Sequence, residues 1–272
     1  MESCRKGTKK QYSTYINQWV EFCSQRQISH YSPEIKDTLQ FLMMLVKKGL
    51  SYSTVNTARS ALSNIIIEGE CVKFGTHQVV IRFMKAVFAT KNPARKCTTT
   101  WDVSAVLKYL ATLYPNNGIS LKCLSIKLVL LMLLLSGQRG QTIHLLNLDG
   151  LNIIDDTCIF QLLEHTKTSK PGSRATVLTF KEYTENHAVG PVLTLKEYLV
   201  RTKSLRRDEK QLFISFQKPH KAISRDTISR WVKMGLSAAG IDTAVFTPHS
   251  TRAAHQLQKP RHSLFHWILL CL

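Results

Sequence analysis

Leu135-Ser136-Gly137-Gln138-Arg139-Gly140 is the stretch on which the reading of this chain turns. It closes Leu121 to Ser136, a run apolar on most sides, which predicts a central buried helix. An arginine just past such a helix, on a turn flanked by glycines, is held rigidly while its fork faces a cleft. A guanidinium so held can bind two phosphate oxygens at once. Alone, Arg139 reads as well as a capping or surface charge.

Two other boxes bear on that choice. In Phe246-Thr247-Pro248-His249-Ser250-Thr251-Arg252, Pro248 opening a helix would put His249 and Arg252 on one face, at i and i+3. A helix start favours anions, and an imidazole passes protons near neutral pH. Lys167 falls on the tip of an expected hairpin, between strands at Thr157 to Glu164 and Ala175 to Phe180, with Lys167-Thr168-Ser169-Lys170-Pro171-Gly172-Ser173 as the turn. A lysine on such a tip can reach a leaving oxygen and protonate it. Taken singly, the histidine box is a common helix start and the lysine an ordinary basic turn.

Charge narrows the partner. The 272 residues hold 37 Lys+Arg against 18 Asp+Glu, a net +19 spread along the chain. Neutralising phosphates releases condensed counterions, so such an excess favours a polyanion. The 44% of hydrophobic residues excludes a wholly disordered chain. Seven scattered cysteines without a C-x-x-C pair argue against a zinc module and a disulfide framework, and for a reducing compartment. The first residues lack a signal peptide's apolar core, so a nuclear or cytoplasmic, non-secreted protein is expected. Leu128 to Leu135, with Lys122 and Lys127 read as charges before it, is far shorter than the ~20 residues that span a bilayer. No membrane partner, cofactor or metal is expected.

The first third reads as four short helices. Thr8 to Arg26 carries Tyr12, Tyr15, Ile16, Trp19, Val20 and Phe22 at helical spacing. Ser32-Pro33-Glu34 has the chemistry of a helix start, with Ser32 as cap. Ser51 or Ser53 starts a third helix, and Gln78 to Ala89 makes a fourth. Short connections between them suggest a bundle. Lys91 to Thr100, polar and holding Pro93, reads as a linker. The expected division is 1–92, a linker at 93–100, and 101–272, where Pro191 to Lys203 and Arg225 to Ala239 return to helix.

In this order, the three boxes resemble the tyrosine recombinase (phage integrase) family. Lys6-Gly7-Thr8-Lys9-Lys10-Gln11-Tyr12, Leu50-Ser51-Tyr52-Ser53-Thr54-Val55-Asn56, Leu135-Ser136-Gly137-Gln138-Arg139 and Thr247-Pro248-His249-Ser250-Thr251-Arg252-Ala253-Ala254 look closest to recombinases of animal mobile elements, DIRS-like and Crypton-like. The resemblance implies a mainly α fold with a small β-hairpin or sheet: an N-terminal four-helix core-binding (SAM-like) domain and a mixed α/β catalytic domain, clamping double-stranded DNA. It implies that a tyrosine attacks a phosphodiester to form a 3′-phosphotyrosine. Arg139 and Arg252 would hold the non-bridging oxygens, Lys167 would protonate the departing 5′-oxygen, and His249 would assist proton transfer. Lys6, Lys9, Lys10, Arg59 and Lys170 are the candidate DNA-binding cations. Intact relatives form synaptic tetramers, so a homo-oligomer is a possible partner state.

Two departures stand out. Where the family has an acid shortly after the first arginine, this chain has Thr142. All eight tyrosines, from Tyr12 to Tyr198, precede Arg252, so the nucleophile is absent from these residues. The family character ends near Ala254. Each codon of a shifted frame takes the third base of one codon and the first two of the next. In that frame, His266-Trp267 forces Leu and Trp267-Ile268 forces Asp. One choice of the free bases elsewhere gives Ser-Thr-Ala-Lys-Ala-Lys-Ala-Leu-Ser-Leu-Pro-Leu-Asp-Thr, which resembles what intact members carry. The expectation is a recombinase by descent with an off-frame tail and no strand cleavage. The alternatives are a non-catalytic DNA-binding protein derived from a mobile element, and an unrelated basic helical or membrane-surface protein.

Overall fold

The computed structural model describes residues 6–67, 74–91, 100–164, 175–247, 250–251 and 254. The chain divides into two compact units, 1–96 and 97–272.

The first unit holds α1 (Lys6–Arg26), α2 (Ile35–Lys47), α3 (Tyr52–Leu62) and α4 (Gln78–Thr90), with a single turn at Phe74–Thr76 before α4. Every third or fourth residue of these helices is apolar, and those faces meet in one core. Trp19, Phe41, Leu42, Leu45, Val55, Ala58 and Leu62 are all fully buried there. The Trp19 ring lies 5.7 Å from Phe22 and 5.3 Å from Phe41, and its N–H donates to the His30 carbonyl at 3.0 Å. At the far end, Lys91 Nζ donates to the carbonyls of Val46 (2.7 Å) and Leu50 (3.3 Å), tying the end of α4 to the turn that follows α2. The start of α2 differs from expectation. Glu34, not Ser32, is its cap residue, and the Asp37 carboxylate accepts the Glu34 N–H at 3.3 Å. Ser32 is engaged with Ser29 instead. Ser51 caps α3 as the sequence suggests, accepting from Thr54 N.

The second unit is built on α6 (Leu121–Ser136), buried from Leu124 to Leu134. Around it pack α5 (Val103–Thr112), α7 (Gly140–His144), α8 (Pro191–Thr202), α9 (Arg225–Ala238) and a three-stranded antiparallel sheet. Burying one Leu side chain is worth ~1.5–3 kcal/mol, so a helix lined on all sides by such residues dominates the unit's stability. The strands are β1 (Leu151–Ile154), β2 (Thr157–Gln161) and β3 (Val177–Lys181), with β2 central. Cys158 and Phe160 turn inward from β2 opposite Phe180 and Leu178 of β3. β1 was not expected. It is joined to β2 through Asp155, whose φ of 47° lets the chain reverse in two residues.

Lys127 corrects the sequence reading most sharply. It is no flanking charge but lies fully buried inside α6. Its Nζ donates to the Leu113 carbonyl and Asn116 Oδ1, each at 2.8 Å, and sits 5.8 Å from the Tyr114 ring. Among the described residues, no helix is long and apolar enough to cross a membrane.

Candidate nucleic-acid interface

Arg139 is positioned by backbone geometry. α6 ends at Gly137, whose φ of 60° is a left-handed cap that side-chain-bearing residues rarely adopt. Arg139 then takes extended dihedrals as the cap of α7, and its carbonyl accepts from Thr142 N at 2.8 Å. Its side chain is exposed, and no described carboxylate pairs with it. Thr142, where an acid was expected, is buried, with Oγ1 3.5 Å from Gln138 Oε1.

The second box is anchored at its described positions. Ser250, Thr251 and Ala254 are helical, and Thr251 and Ala254 are buried. Trp101 Nε1 donates to Ser250 Oγ at 2.8 Å, tying this segment to the residues just before α5. Phe246 packs against the same core. His249 and Arg252 themselves lie outside the described residues, as do Lys167 and Lys170. The base of the hairpin is described: Leu162 N–H donates to Thr176 O at 2.9 Å, extending the β2–β3 ladder. Just past β3, the buried Glu182 carboxylate accepts the N–H groups of Val192 (2.8 Å) and Leu193 (2.9 Å) at the start of α8. That fixes the end of the β2–β3 ladder away from Lys167 to the helix behind it.

Three of the second unit's tyrosines have phenols that burial keeps protonated. Burial raises the pKa of Tyr109, Tyr183 and Tyr198, with neighbouring Cys123 adding to the first and Glu185 to the second. The Tyr198 hydroxyl is occupied as acceptor for Ile214 N at 3.1 Å. Activation requires a lowered pKa or an adjacent base.

In the first unit, Lys10 lines a cleft of about 540 Å³ between α1 and α3, with Gln11, Thr14, Ser53, Thr54 and Thr57. Lys9 and Arg59 are half-exposed but are not part of that lining, and Lys6 begins α1. The α3 hydroxyls were missed as site residues. Their clue was a polar stripe opposite the buried Val55, Ala58 and Leu62. Trp101 was missed too, read only as the start of a second region. Among the described residues, no cluster of His, Cys, Asp or Glu could hold a metal ion.

Residues 1–66 match the family model described as phage integrase, N-terminal SAM-like domain. No sequence match is found among curated proteins. Several solved structures share the fold. XerH site-specific recombinase, bound to a palindromic difH substrate in a post-cleavage complex, is 16% identical with a TM-score of 0.56, covering 84% of this chain and 63% of that one. The Tn1549 transposon integrase in complex with transposon right-end DNA is 14% identical with a TM-score of 0.56, covering 99% of this chain and 90% of that one. A lambda integrase (75–356) dimer on a COC′ core site is 16% identical with a TM-score of 0.52, covering 98% and 85%. The chain therefore has the fold of the integrases and site-specific recombinases, mainly helical with a small sheet. The N-terminal SAM-like domain match covers residues 1–66, and the rest of the chain shares the fold.

Proposed function

We propose that this chain is a DNA-binding protein of tyrosine-recombinase descent, from a mobile element, and that the 272-residue polypeptide does not cleave DNA. The observation that carries the reading is the placing of Arg139: exposed, unneutralised by any described acid, and fixed by Gly137 at the end of the buried α6. In the proposed site Arg139 and Arg252 hold the non-bridging oxygens of one phosphate. Lys167 stands at the leaving oxygen and His249 at the attacking position. Lys6, Lys9, Lys10, Arg59 and Lys170 supply phosphate contacts along the duplex. All eight tyrosines of these 272 residues precede Arg252, so in this reading the phosphate-holding set stands here without a tyrosine on its C-terminal side. Removing one member of a tightly coupled nucleophilic set costs on the order of a million-fold in rate.

The test combines binding and trapping. The 272-residue chain should bind duplex DNA with an affinity that falls steeply with salt, the log–log slope shrinking by roughly one for each phosphate-contacting cation removed. On nicked suicide duplexes it should leave no covalent protein–DNA adduct. A trapped adduct would overturn the inactive reading. Salt-independent binding, or binding to anionic vesicles but not to DNA, would overturn the DNA-binding reading.

A further inference from the structure

Helix α9 faces two different surroundings. Ile228, Val232 and Leu236 are buried in the core of the second unit. The neighbouring stripe of Thr227, Arg230, Met234 and Ala238, at i, i+3, i+7 and i+11, lines open space instead. Two cavities of about 490 and 690 Å³ adjoin along α9, forming a two-part trough with Lys122, Arg230 and Met234 in the walls of both. At ~1.5 Å per residue the helix gives the trough a length of roughly 20 Å.

The chemistry of the trough is two-layered. Its floor is apolar: Ile126 of α6, Met234, and Trp231 with Phe216 stacked on it at 5.2 Å. Met234 is 38% exposed, a large apolar side chain with nothing described over it. Its rim is cationic: Lys122, Lys221, Arg230 and Lys233. No described acidic residue lines either cavity. Lys122 also sits in the first turn of α6, which has no acid there, so the positive end of that helix dipole adds to the rim.

We propose that this trough docks an acidic amphipathic helix from a partner protein. Apolar side chains of that helix would fill the floor, while Asp and Glu on its flanks would meet the four rim cations. A helix-in-groove contact uses both layers at once. A DNA duplex would use the rim and leave most of the apolar floor uncovered, since phosphates are charged and base edges are polar apart from the thymine methyl. Complementary charge would steer the encounter, and the buried apolar area would hold it. Arg139 lines neither cavity, and the proposal does not depend on the recombinase reading.

Cys123 provides the reporter, because its half-buried thiol lines the trough. The probe is a synthetic helical peptide of the length of α9, with leucines at i, i+4, i+7 and i+11 and glutamates on the flanks. With the full chain, fluorescence anisotropy should show saturable binding, and peptide mapping should show slowed alkylation of Cys123. Met234→Glu and Lys233→Glu should each weaken binding by about tenfold or more, while circular dichroism stays unchanged. Lys233 is exposed, so its variant remains informative if Met234→Glu disturbs the fold. Binding that does not protect Cys123, or survives both substitutions, overturns the proposal. So does an absence of saturable binding. A duplex that protects Cys123 where the peptide does not would assign this face to nucleic acid and equally overturn it.

Discussion

Replacing Lys127 by Met should remove a specific pH dependence from the stability of the second unit. Burial lowers the Lys127 pKa from 10.5 to about 8, with the charge of Glu182 opposing the shift in part. At ~1.4 kcal/mol per pKa unit, that displacement is worth about 3 kcal/mol between the two protonation states. Below pH 8 the lysine is charged both folded and unfolded, so the penalty for burying its charge is constant. Between about pH 8 and 10.5 the unfolded chain keeps a proton that the folded chain has lost, so stability rises with pH. Other groups oppose this higher up. Burial holds the Cys23 thiol up to about 11 and the Cys158 thiol up to about 12, against an ordinary 9.0. Their folded forms retain protons that the unfolded chain gives up, so they cost stability as pH rises past 9. Between about pH 7.5 and 9 Lys127 should contribute ~1 kcal/mol of gain to the second unit, of which that unit's Cys158 offsets ~0.4 kcal/mol by pH 9. Met fills a similar, unbranched shape. It leaves Leu113 O and Asn116 Oδ1 without their donor, at ~1–3 kcal/mol each, but that loss does not vary with pH. The assay is urea unfolding of the full chain at both pH values, with hydrogen exchange of α6 peptides assigning the transition to the second unit. The wild type should gain stability over the window and Lys127→Met should not. Equal changes in the two proteins would refute the reasoning.

Two further outcomes follow from the anchors of the site. Ser250→Ala removes the acceptor 2.8 Å from Trp101 Nε1, and Trp101 is only 4% exposed, so a buried N–H is left unpaired. The second unit should lose about 1–3 kcal/mol in urea unfolding, with DNA affinity falling alongside. Gly190→Ala places a methyl group against the Glu182 carboxylate that caps α8. It should lower the melting temperature by the equivalent of ~1–3 kcal/mol, and an unchanged midpoint would show that Glu182 is free to move aside.

How far the sequence could be read depended on whether the deciding contacts were local. α6 was visible because its apolarity is unbroken, and it spans the expected Leu121–Ser136. The turn after α6 was visible through its glycines, and the start of α3 was narrowed to Ser51 or Ser53, because turn and cap chemistry act within a few residues; the structure selects Ser51 and makes Gly137 a left-handed cap. β1 escaped because four residues carry little periodicity, and only pairing with β2 makes Leu151–Ile154 a strand. Lys127 was misread because hydropathy treats a lysine as a boundary. The carbonyl and amide that make its burial tolerable come from the loop before the helix. The same limit hid the support of the second box. Trp101 and Ser250 are 149 positions apart, and neither residue type announces the other.

The chain's positive charge is a matter of placement as much as composition. Several of its described carboxylates are engaged with backbone amides. Asp37 accepts from Glu34 N, Asp102 from Ser104 N, and Asp242 from Ala244 N. Glu182 takes Val192 N and Leu193 N, and Glu209 takes Gln211 N and Ala222 N. An acid committed to capping a helix or closing a turn leaves surface cations unneutralised. The described ion pairs involve Lys36, His187, Lys210 and Arg225, and none involves Lys9, Lys10, Arg59 or Arg139. A random scatter of 18 acids among 37 cations would pair some of these too. Here the acids stabilise the two units from within, while the cations proposed to meet phosphate face outward with their charge intact. Such an arrangement repels itself in the free protein, and it becomes favourable when a polyanion supplies the missing charge.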